Sequence, residues 1–158
     1  MDPSGTADSP EPSVEEPRLP RELESDPCVA AVPLTPPLRT ALATLAGQGQ
    51  LARGLEAAEA ALAAEQRGLQ ALPPAVAARQ RPRISRVLAV TNDGAERFYR
   101  GVERLAITHA PRVLVCLVDC PSPVLGELLY GSDAVVKLVL TAHKTAATTL
   151  LRALAAGR

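Results

Sequence analysis

The chain has 158 residues, 47% of them apolar, with two Tyr, one Phe and no Trp. That length supports one modest core, and so few aromatic side chains argue against an extended base-stacking surface. Its 17 basic and 17 acidic residues cancel, but residues 1–35 hold eight acids against Arg18 and Arg21, a net of −6, so the remainder carries +6.

Residues 1–34 are rich in Pro, Ser, Glu and Asp and show no periodicity, which predicts a disordered acidic tail unable to bury enough apolar surface to offset its ordering entropy. Ser9-Pro10 and Thr35-Pro36 have the form of proline-directed phosphorylation sites. The opening Met-Asp-Pro-Ser-Gly lacks the apolar stretch of a secretory signal. Together with an odd set of cysteines, Cys28, Cys116 and Cys120, this predicts a reducing cytoplasmic or nuclear setting. No apolar run approaches the length of a membrane span.

Residues 35–72 read as a helical segment. Thr35 before Pro36 is an N-cap with proline at the first helical position, and Leu38, Leu42 and Leu45 follow at helical spacing before Gly47-Gln48-Gly49 interrupts. A ladder then runs Leu51, Leu55, Ala58, Leu62, Glu65, Leu69, Leu72, stepping by four and three until Pro73-Pro74 stops it. That spacing predicts a long helix, or one arm of a helical hairpin, with a single narrow apolar seam of the kind a facing helix closes. Leu51, Leu55, Leu62, Leu69 and Leu72 are therefore the candidate partner-binding residues. The expected function is a non-enzymatic adaptor or scaffold subunit of an intracellular multiprotein complex, docking on other protein subunits through this helix. The alternative is that the ladder packs against the chain's own C-terminal half.

Residues 73–82 read as a linker. It runs into a basic patch, Arg79, Arg81, Arg83 and Arg86, with no acid between them. Nucleic acid, an acidic partner surface or the chain's own tail are the partners such a patch suits.

Residues 83–158 admit two readings. Ile84, Leu88, Thr91, Ala95, Phe98, Val102 and Leu105 continue a heptad step, which favours an all-α bundle or coiled coil. Asn92-Asp93-Gly94 interrupts that step with turn residues, and Val113–Val118 is a Val-rich run too short for a typical helix, as expected of a strand buried on both faces. Ala134–Leu140 repeats the type. The preferred reading is a small α/β domain: a three-stranded parallel sheet centred near 87–91, 113–118 and 135–140, with helices against it.

No catalytic constellation emerges, and no cofactor is expected. Val113–Val118 closing on Asp119 resembles the Walker B element of P-loop nucleotide-binding proteins, which would make Asp119 a magnesium-holding residue. The phosphate-binding G-x-x-x-x-G-K-[ST] that gives that element its purpose is absent. Val90–Gly94, a strand running into a helix, reads as a cap or as an anion cradle of free backbone N–H groups. Cys116 and Cys120, spaced C-x3-C, with His109 and His143 do not make a zinc pattern. The second function class is thus a degenerate nucleotide- or ligand-binding module using the loops after Thr91 and Asp119. The third is a nucleic-acid-associated factor using the arginines.

Overall fold

The computed structural model describes residues 29–77 and 84–156. Five strands, β1 (Val29–Val32), β2 (Leu51–Arg53), β3 (Arg86–Val90), β4 (Val113–Val118) and β5 (Leu138–Thr141), form one sheet in the order β1-β4-β3-β5-β2. Six helices accompany them: α1 (Pro36–Gly47), α2 (Leu55–Gln70), α3 (Pro74–Ala77), α4 (Glu96–Thr108), α5 (Ser122–Tyr130) and α6 (Lys144–Ala156). Strands β1 and β3 run parallel to β4, while β5 runs antiparallel to both β3 and β2.

Alternation along the strands divides the core into two layers, because successive strand side chains point to opposite faces. Val87, Ala89, Cys116, Val118 and Val139 meet Leu38, Leu42 and Leu45 of α1, Leu125 of α5 and Leu150 of α6. Leu88, Val90, Val113, Val115, Leu117, Leu138 and Leu140 meet Ala58 and Leu62 of α2 and Val102, Leu105 and Ala106 of α4. The molecule is a three-layer α/β/α sandwich. Both sheet faces are covered, which is why β3, β4 and β5 read as continuous apolar runs.

The mixed α/β class holds, and the all-α alternative does not, since Arg86–Val90 is a strand where the heptad reading needs helix. The expected three-stranded parallel sheet is corrected in two respects. Its third parallel strand is β1, from the end of the segment read as tail. The segment near 135–140 instead pairs antiparallel to β3. After α5 the chain doubles back along that helix, with Val136 N–H donating to Ser122 carbonyl oxygen at 3.2 Å. It therefore enters β5 at the sheet end where β4 finished.

The ladder is also corrected. Leu51 lies in β2, not on a helix, with Leu51 paired to Thr141. Gly49 at φ 69° and Gly54 at φ 94° turn the chain on either side of that strand in a conformation that only glycine adopts without strain. Helix α2 begins at Leu55, and Ala58 and Leu62 are fully buried in the chain's own core; Leu55, Leu69 and Leu72 are half-buried. No helix among the described residues is long and apolar enough to cross a membrane.

Candidate functional site

Strands β1, β3 and β4 end, and β5 begins, on one side of the molecule, and the candidate residues of the sequence split between this end and the opposite one. The loop after β3 is closed on itself. Asp93 accepts from Thr91 Oγ1 at 2.9 Å, from the Ser122 backbone N–H at 2.9 Å and from Ser122 Oγ at 2.8 Å. In this way Asp93 caps α5 from a neighbouring loop, a helix whose own cap position, Pro121, has no side-chain acceptor. Burial raises the Asp93 pKa, and the hydrogen bonds from Ser122 and Thr91 outweigh it, leaving the carboxyl below its usual value.

In the cradle alternative for Val90–Gly94, three of the backbone N–H groups already have internal partners. Thr91 N–H donates to Lys137 oxygen, Asn92 N–H to Cys120 oxygen, and Gly94 N–H to the Tyr99 hydroxyl, which itself donates to Thr91 oxygen at 2.7 Å. Asp119 is exposed and accepts from Asn92 Nδ2 at 2.9 Å. It tethers two loops. Cys116 and Cys120 are buried, and burial pushes their thiols up to about 12 and about 11, far from a reactive thiolate. Among the described residues no three His, Cys, Asp or Glu side chains converge as metal ligands.

At the opposite end lies Arg86, the one residue of the basic patch that the structure describes. Arg79, Arg81 and Arg83 lie outside the described residues. Arg86 is not a free surface charge: its Nε lies 2.9 Å from Glu65 Oε2 and its Nη1 donates to Thr141 oxygen at 3.0 Å. Glu65, the one charged rung of the ladder, also lies 3.1 Å from Arg112 Nη1 and accepts from Ser85 Oγ. Arg112 Nη2 donates to Gln66 Oε1 at 2.7 Å and lies 3.1 Å from His109 Nδ1. Burial, then the Arg112 charge, pushes the His109 pKa down.

What remains exposed and chemically distinctive is a patch that the sequence did not single out. Arg53 follows Leu51 in strand alternation, so it points toward the α5 layer. Its guanidinium carbon sits 4.8 Å from the centroid of the Tyr130 ring, and its Nη2 donates to Val135 oxygen at 3.4 Å. Val135 is 54% exposed and Tyr130 37%. Lys137 is exposed one residue before β5. The N-terminus of α2 opens beside Arg53 with no side-chain cap on Gly54 and with Glu56 in its first turn. A tyrosine near the end of a short helix carries no sequence signal of exposure, and the pairing with Arg53 spans 77 positions, so neither was readable in advance.

Gly126 seats this patch. A Cβ built there runs into the Ala134 carbonyl group and lies 2.8 Å from Val135 N, all backbone atoms that cannot swing aside. Gly126→Ala is expected to lower stability by about 2 kcal/mol, as overpacking of a filled contact does. It should also shift the backbone resonances of residues 131–137. A thermal melt and an amide spectrum matching wild type would show that the 134–135 backbone is not held against α5.

A scan against protein-family models found no match to this chain, and neither curated proteins nor solved structures yielded a similar one. The three-layer sandwich and the patch at its open end define the molecule on their own geometry.

Proposed function

We propose that the chain is a non-enzymatic binding subunit that holds RNA at the Arg53–Tyr130–Val135 patch. The observation that carries this reading is the Arg53 guanidinium stacked on an exposed Tyr130 ring, beside exposed Val135 and Lys137. Looped or single-stranded RNA offers unstacked bases that pack on aromatic rings and guanidinium planes, with phosphates that arginine and lysine contact. One tyrosine takes one base, so the site suits a splayed nucleotide in a structured RNA rather than a long strand. The non-catalytic reading is supported by Cys116, Cys120 and Ser122, whose reactive atoms are buried or committed to internal hydrogen bonds.

The same patch favours a second reading. Tyr and Arg are the residues that anchor protein interfaces, so an adaptor role on a protein partner is retained, moved from the ladder to this end of the sheet. Anisotropy titration of a labelled RNA hairpin with an unpaired loop separates the two. Tyr130→Ala is expected to weaken binding roughly tenfold, from a stacking contribution of about 1–3 kcal/mol, and Arg53→Ala by a similar factor. Arg152→Ala on α6 leaves binding unchanged. Equal RNA affinity for wild type, Tyr130→Ala and Arg53→Ala overturns the RNA reading and leaves the protein-partner one.

A further inference from the structure

Helix α4 carries Arg97, Arg100, Arg104 and Ile107 at three- and four-residue steps, and all four are exposed, Ile107 to 63%. Residues at this spacing share one face. Arg100 pairs with Glu96 at 2.6 Å, an exposed contact within the helix. Among the described residues Arg97 and Arg104 have no ion-pair partner. The acids on the same helix are Glu96 and the half-buried Glu103. The buried side of α4 is committed to the core through Val102, Leu105 and Ala106, so among the described residues this outward face has no partner.

We propose that the acidic segment preceding β1, residues 15–26, docks along this face of α4. Three observations select it over other occupants. The first is place. Helix α4 covers the face of β4 that carries Val113, Val115 and Leu117, and its last turn leads through residues 109–112 into β4. β1 pairs parallel to β4 from Val29 opposite Val115, so the segment enters the sheet at the end where α4 finishes, beside the outermost strand.

The second is reach. Glu22, Glu24 and Asp26 lie three to seven positions before Val29. At about 3.3 Å per extended residue they span roughly 10–23 Å, and Arg97 to Ile107 occupies about 15 Å of helix at 1.5 Å per residue. The third is complementarity. Glu15, Glu16, Glu22, Glu24 and Asp26, set against Arg18 and Arg21, leave the segment a net of −3 to meet three arginines, with the acids nearest β1, Glu22, Glu24 and Asp26, free of an intervening base; Leu19 and Leu23 supply an apolar partner for Ile107. The covalent link holds the two at millimolar effective concentration, enough for several weak ion pairs to act together.

Carbodiimide coupling of the full-length chain tests the contact, because it joins carboxylates to amines and the native chain has Lys137 and Lys144 as its lysines. In the Arg100→Lys/Arg104→Lys variant, peptide mapping should recover amide links from Glu22, Glu24 or Asp26 to positions 100 and 104. These links should fall at least fivefold in 0.5 M salt, where exposed pairs are screened to about 4 Å. A second variant, Arg97→Lys, should couple to Glu15 or Glu16. Links from residues 15–26 to Lys137 or Lys144 alone, or none to α4 at low salt, overturn the proposal, as does coupling that salt leaves unchanged. RNA plays no part in this readout, so it stands or falls separately from the function proposed above.

Discussion

Leu62→Glu is expected to unfold the isolated protein. Leu62 is fully buried on the face of α2 that meets the sheet, in the same cluster as Leu88, Leu138 and Leu140. Removing a buried leucine's packing costs about 2–5 kcal/mol, and burying an unpaired carboxylate adds several more. Small domains have only about 5–15 kcal/mol in total. Far-ultraviolet circular dichroism and size exclusion of the purified variant should report an unfolded or aggregated chain at neutral pH. Leu69→Glu, at a half-buried rung one residue from the helix end, should fold with stability lower by about 1–2 kcal/mol. A folded, monomeric Leu62→Glu protein with a wild-type melt would mean that the ladder faces outward, and would restore it as a docking seam.

That contrast shows where sequence reasoning held and where it stopped. Val87–Val90 and Val113–Val118 announced strands because a face-covered strand is apolar at every position, and Asn92-Asp93-Gly94 placed the turn between β3 and α4. The class of fold follows from these few residues. Sheet order did not, since β1 has four residues, β2 has three, and neither carries a pattern long enough to show period two. The direction of β5 depends on Gly126 letting the 134–135 backbone lie against α5, a contact across eight positions that no local signal encodes. The ladder misled for a related reason. A four-three step describes a helix that packs on something, and a sheet of the same chain closes such a seam as well as a partner helix does. Glu65 was the clue inside it, because a carboxylate in an apolar seam requires a specific cation opposite. The patch at Arg53 and Tyr130 was illegible because exposure is a property of the assembled surface.

Glu65→Ala is expected to lower stability by about 3 kcal/mol and the melting temperature by roughly 6–12 °C. The side chains of Glu65, Arg86 and Arg112 keep only 18%, 15% and 13% of their exposure, so removing the carboxylate leaves two guanidinium groups largely desolvated with no anion. This places the loss at the lower end of the range for breaking buried pairs. Burial raises the Glu65 pKa, but the hydrogen bond and charge of Arg86, the Ser85 hydroxyl and the Arg112 charge bring it below its ordinary 4.5. A carboxyl with a depressed folded-state pKa contributes its stabilisation fully above the unfolded value, and loses it as pH falls through the folded one. The gap in urea midpoint between wild type and Glu65→Gln should therefore persist from neutral pH down to about 5 and close below 4.5. His109, whose pKa is also depressed, is held up in part by the Glu65 charge, so the loss it adds as pH falls is somewhat larger in Glu65→Gln and widens the gap before it closes. A gap that persists undiminished at the acid end would mean that Glu65 acts through packing of its methylenes and not through its charge. Because this network ties α2 to the first residue of β3 and to the residue that precedes β4, the Arg86 charge holds the chain's own layers together.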